Sequence, residues 1–132
     1  MKMKIILLAG NANVGKTSTM NIVYDRLIRE GAILDKGTPP EQSEKKKKDF
    51  ECVLLYKGQK VMIHSKGDFE SECIEAIKIF RKCADILVLA CRKRMRAKLE
   101  EKIKNSFIEC EIVEKMFGDD DEQKALEVLQ KI

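Results

Sequence analysis

Ile5-Ile6-Leu7-Leu8-Ala9-Gly10-Asn11-Ala12-Asn13-Val14-Gly15-Lys16-Thr17 carries an unbroken apolar run straight into the spacing G-x-x-x-x-G-K-T. The run from Met3 to Ala9 has the continuous apolar character of a central strand in a parallel sheet covered on both faces. Beyond the loop, Met20, Val23 and Leu27 recur at helical spacing, which predicts a helix over Gly15–Glu30, capped by Gly31 in the left-handed conformation. Gly10 and Gly15 keep a tight concave loop clear of side chains, so that backbone N–H groups can converge on an anion. Lys16 adds a cation that can reach two phosphates, Thr17 a hydroxyl suited to magnesium, and the helix its positive dipole end. Gly10, Asn11, Ala12, Asn13, Val14, Gly15, Lys16, Thr17 and Ser18 are therefore the expected cradle for a polyphosphate, with Thr17 as a metal ligand.

This strand, loop and helix resemble the P-loop NTPases and related kinases. The wording Asn13-Val14-Gly15-Lys16-Thr17 is most similar to bacterial GTPases of the translation-factor class, over a segment ending near Glu30. The resemblance implies bound ATP or GTP with Mg2+. It also implies that Asn13 is a ligand for a monovalent cation, whereas turn chemistry alone makes Asn13 a residue tolerant of unusual backbone angles. No Asn-Lys-x-Asp occurs anywhere, and no Asp-x-x-Gly follows the third strand. With no guanine-reading carboxylate to name, adenine is slightly favoured.

At 132 residues the chain is expected to be one domain, 1–132, near the lower limit for a fold of this kind. Hydrophobic content of 44% supplies a core, and 36% charged residues imply solvated helix faces. The net charge of +4 is mixed in sign along the chain and gives no clear nucleic-acid signal. Five cysteines without a C-x-x-C pair read as reduced core residues, and the single His64 suggests no zinc site. The N-terminal apolar run is too short for a signal sequence or a membrane span, so a cytoplasmic protein is expected.

Residues 35–49, with Gly37, Pro39, Pro40 and Lys45-Lys46-Lys47-Lys48, read as a flexible loop. The lysines suit a solvated segment, or a contact with a phosphorylated small molecule or protein partner. Thr38 lies where many GTPases carry a threonine that closes on magnesium. Phe50–Tyr56 and Lys60–His64 flank Lys57-Gly58-Gln59 at close to hairpin spacing, and His64 reads as a packed strand residue. In P-loop proteins the strand beside the phosphate loop commonly delivers an acid to magnesium. Here Ser65 stands at that place and Asp68 follows, as a metal ligand, as the N-cap of a helix with Phe69, Cys73, Ile77 and Phe80 at helical spacing, or as both. Gly67 would offer a backbone N–H to the γ-phosphate, by the same resemblance.

Ile86–Cys91 reads as another buried strand, placing Arg92 and Arg94 at its carboxyl end on the expected ligand side. They serve as phosphate or substrate contacts or as part of a solvated helix face, since Met95, Leu99 and Ile103 form the inner stripe. Phe107–Val113 suggests an edge strand, and Gly118 to Glu122 a loop with the acidic first turn of a last helix whose stripe is Leu126, Leu129 and Ile132. The expected fold has three layers, α/β/α, with a mostly parallel sheet of about five strands and an antiparallel edge hairpin. The expected function is binding of a magnesium nucleoside triphosphate and its hydrolysis as an NTPase or switch, with Lys16, Asp68, Arg92 and Arg94 as catalytic candidates. A small-molecule or nucleotide kinase and a non-catalytic nucleotide-binding adaptor are the alternatives.

Overall fold

The computed structural model describes residues 3–40 and 48–132. It is an α/β structure with one six-stranded mixed sheet and four α-helices among the described residues. The strands are β1 (Lys4–Ala9), β2 (Ile33–Thr38), β3 (Glu51–Tyr56), β4 (Gln59–His64), β5 (Ile86–Cys91) and β6 (Glu109–Glu114). The helices are α1 (Lys16–Arg29), α2 (Glu70–Cys83), α3 (Arg96–Asn105) and α4 (Asp121–Lys131), with a 3-10 turn at Lys93–Met95.

Strand order is β2-β3-β4-β5-β1-β6, with β1 parallel to both β5 and β6 and β4 parallel to β5. Strands β2, β3 and β4 pair antiparallel. The alternation of a strand divides β1 between two cores. Ile6 and Leu8 pack with Met20, Val23 and Leu27 of α1 and with Ala125 and Val128 of α4. Ile5, Leu7 and Ala9 pack on the other face with Cys73 and Phe80 of α2 and Leu99 and Ile103 of α3. Ile5, Ile6, Leu7 and Leu8 are fully buried, each contributing roughly 1.5–3 kcal/mol. Among the described residues no helix is long and apolar enough to cross a membrane.

Helix α1 ends as expected. Gly31 has φ +102, and the bonds from Ala32 N to Leu27 O and from Gly31 N to Ile28 O close it while Ala32 and Leu27 join the core. Four expectations need correction. The sheet has six strands rather than five, because residues 35–38 belong to β2 instead of a loop, and β2 takes the edge expected of the β3–β4 hairpin. All six residues of β2 are exposed, so no periodicity marks it, and its pairing with β3 alone defines it. The four-lysine run lies outside the described residues except for Lys48, as does 41–44. Phe69 is exposed and does not begin the inner stripe of α2, where Cys73, Ala76 and Phe80 are buried. In α4 the buried positions are Ala125 and Val128, with Leu129 and Ile132 packed behind them, whereas Leu126 faces outward. The last strand begins at Glu109, since Phe107 turns out of α3 with φ +61 and is exposed; β6 is an edge strand, as its alternating pattern implied.

The connections place the ligand side. β1 and β6 lead into helices on one face, while β4 and β5 lead into helices on the other. The crevice where the chain switches faces therefore opens between the carboxyl ends of β1 and β5. Strand β5 also separates β1 from β4, so the strand neighbouring the loop is followed by Arg92 rather than by an acid.

Candidate functional site

The loop after β1 is fixed on both flanks by main chain. Gly10 N–H donates to Cys91 O at 3.1 Å, Lys93 N–H donates to Gly10 O at 3.2 Å, and Lys115 N–H donates to Ala9 O at 2.8 Å. A side chain at Gly10 would meet the Lys115 carbonyl at 2.6 Å, so the close approach of β6 requires glycine there. Asn13 has φ +63 and Gly15 φ +90, the left-handed turns that bring the chain round into α1. Lys16 folds back over this turn, and its Nζ donates to Gly10 O at 2.7 Å and Asn11 O at 2.8 Å. Burial, and then the Arg92 guanidinium, hold Lys16 below its ordinary value of 10.5.

A cavity of about 500 Å³ opens beside the loop. Of the residues expected from the sequence, Ala12, Asn13, Gly15, Lys16, Thr17, Ser18, Asp68 and Arg92 line it. Gly10, Asn11, Val14, Gly67 and Arg94 do not. Gly10 and Asn11 give their carbonyls to Lys16, and Arg94 is exposed on the 3-10 turn. Gly67 is needed for packing: a Cβ there would lie 1.7 Å from Ala90 O, so the turn after Ser65 rests directly on β5.

Asp68 does not cap α2. Phe69 occupies the N-cap with no side-chain cap bond, because the Asp68 carboxylate turns toward β5 and accepts from Arg92 Nε at 3.0 Å, with Arg92 Nη2 also at 3.0 Å from the same oxygen. The pair is partly exposed, so its value lies in orientation more than in stability. Thr38 ends β2 and does not line the cavity. His64 belongs to β4, also outside the cavity, with Nδ1 3.6 Å from Glu51.

Two lining residues escaped sequence reasoning as site groups with named partners. Asp49 Oδ1 accepts from the Thr17 hydroxyl at 2.8 Å and from the Ser65 hydroxyl at 3.1 Å. Ser65 is buried and locked by its main chain, with Phe50 N–H donating to Ser65 Oγ at 2.8 Å and Ser65 N–H donating to Phe50 O at 3.1 Å. A third group lies beneath the loop. The Lys115 side chain is fully buried, and its Nζ donates to Gly15 O at 2.9 Å, to Thr19 Oγ1 at 2.8 Å and to Asp121 Oδ1. Its signal was a lysine ending an apolar-alternating strand six residues before an acid. The acidic turn itself serves the helix: Asp120 accepts from Glu122 N–H and caps α4.

None of the five cysteines lines this cavity. Burial pushes Cys52 and Cys91 up to about 12 and Cys73 and Cys110 up to about 11, and all five cysteines are free. The donors facing the cavity are two cations and backbone amides at a helix N-terminus, with hard oxygens from Thr17, Ser65, Asp49 and Asp68. That set suits an anion and a small hard cation together. No protein-family model, curated protein or solved structure matches the chain.

Proposed function

We propose that this chain is a P-loop nucleotide-binding protein that takes a magnesium-bound nucleoside triphosphate into the crevice between β1 and β5 and hydrolyses it. One observation carries the reading. Among the described residues the Lys16 ammonium, at the first turn of α1, has only neutral carbonyls as its hydrogen-bond partners, inside a cavity that also holds Arg92. A desolvated cation of this kind gains most from an anionic ligand, which can replace the two carbonyls without separating an ion pair.

In the reaction Lys16 and the amides of α1 bind the polyphosphate and stabilise charge on the transferring group. Thr17 offers its hydroxyl to magnesium, which when bound neutralises phosphate charge. Arg92 stands across the crevice, where its guanidinium, still paired with Asp68, faces the same group as a second cation. Water is the acceptor, and adenine is the slightly favoured base. The free thiols accord with a cytoplasmic setting. Calorimetry with ATP and with GTP, each with magnesium, tests binding. Phosphate release tests hydrolysis, and turnover by Lys16→Ala as fast as the parent's refutes it.

The Arg92–Asp68 pair favours a second reading, a small-molecule or nucleotide kinase, because a cation and a carboxylate on the wall opposite Lys16 suit an acceptor carrying both a phosphate and a hydroxyl. Nucleotide consumption that rises above the water background only when an acceptor is added distinguishes it.

A further inference from the structure

We propose that Asp49 is the carboxylate that positions magnesium beside Thr17, and that Asp68 is not. The inference rests on the nucleotide reading above and assigns the metal side of that same site. Position 65, just past β4, carries a hydroxyl that is no substitute for a carboxylate, and this hydroxyl is itself directed at Asp49 at 3.1 Å, with Phe50 O as its other acceptor at 3.3 Å. The nearer alternative, Asp68, has its Oδ1 engaged by two nitrogens of Arg92. Asp49 instead sets its Oδ1 2.8 Å from the hydroxyl of Thr17, the side chain that follows the loop lysine and begins α1.

Topology explains how a residue so far along the chain arrives there. Strand β3 runs antiparallel to β4, so its starting end lies level with the carboxyl ends of β4 and β5, where the crevice opens. Asp49 stands two residues before β3 begins, on the ligand side of the sheet. Ser65 is anchored to Phe50 in both directions, which holds the hydroxyl that steers the Asp49 carboxylate. The donor chemistry fits: magnesium takes oxygen ligands only and is usually held by one or two carboxylates together with substrate phosphates. A carboxylate already directed at the Thr17 hydroxyl orients that ligand whether it touches the ion directly or through water.

The test is calorimetric and does not depend on turnover. ATP, and in parallel GTP, is titrated into the wild type, Asp49→Asn and Asp68→Asn, in magnesium chloride and in EDTA, with thermal melts confirming that each variant is folded. The wild type is expected to bind more tightly with magnesium, and Asp49→Asn to lose about 10- to 100-fold of that gain while keeping its affinity in EDTA. Asp68→Asn is expected to keep the gain. An Asp49→Asn protein with the full magnesium gain, or an Asp68→Asn protein that loses it instead, overturns the assignment. Wild-type binding that is indifferent to magnesium overturns it while leaving nucleotide binding intact, whereas no binding of either nucleotide removes the reading on which it rests. Should Asp49→Asn fail to fold, Ser65→Ala decides, since it is expected to lose part of the gain and full retention refutes the role.

Discussion

The loop after β1 is gripped from two sides by lysines whose surroundings differ in one respect. Lys115, below the loop, has a carboxylate and a hydroxyl as partners besides the Gly15 carbonyl. Lys16, on the cavity side, has only the carbonyls of Gly10 and Asn11 among the described residues. Burial pushes both ammonium groups below the ordinary lysine value, but of the two only Lys115 is in direct contact with a carboxylate among the described residues, Asp49 and Asp68 acting on Lys16 from a distance. The difference separates a cation that holds the loop from one that, on the proposed reading, is left for a ligand: the first belongs to stability, the second to the proposed binding.

The largest expected effect is on the cavity side. Lys16→Ala is expected to weaken ATP binding about 100-fold, about 2.7 kcal/mol, and to change stability by less than about 0.5 kcal/mol, as calorimetry and urea melts will report. A large loss of stability would erase the contrast. Lys115→Met, which keeps the stem and removes the ammonium, is expected to lower stability by about 2 kcal/mol in the same urea melts, because the Gly15 carbonyl and Thr19 hydroxyl lose a donor in the core. Asp121→Asn is expected to do less, about 1 kcal/mol, since Asp121 is 40% exposed and water compensates. Combined with Lys115→Met it should fall short of the sum, and strict additivity would mean that the two groups are not coupled.

The smallest effect near neutrality is a dependence on pH. On the proposed reading ATP favours the protonated Lys16, so affinity is expected to be full below the pKa of the free protein and to fall as pH rises through it. Because that pKa is lowered, the decline should begin below the pH expected of a free lysine at 10.5. Arg92→Gln, which removes a cation that lowers it, should move the decline to higher pH. A binding curve that stays flat through this range would put Lys16 away from the phosphates.

What could be read from the chain follows the range of the interactions involved. The β1 run, the loop and α1 are set by neighbours within a few residues, and Gly31 closes the helix through purely local bonds. The hairpin of β3 and β4 is similarly local, turning at Lys57 and Gly58. Strand β2 was hidden because no residue of it faces a core. Asp68 could be weighed locally only as cap or metal ligand, since its partner Arg92 lies 24 residues later, just past the end of β5. Asp49 and Lys115 stayed unread for a related reason. The position of Asp49 depends on an antiparallel return, and that of Lys115 on β6 choosing β1 as its neighbour.

Position 67 admits only hydrogen as a side chain, for the main chain of β5 occupies the space where a methyl would go. The height of the turn carrying Asp68 is thus gauged against the strand that precedes Arg92 by backbone contact, with no adjustable side chain between them. Drift at this site is barred even though Gly67 does not line the cavity, and any replacement would pry Asp68 away from the guanidinium rather than merely loosen a loop.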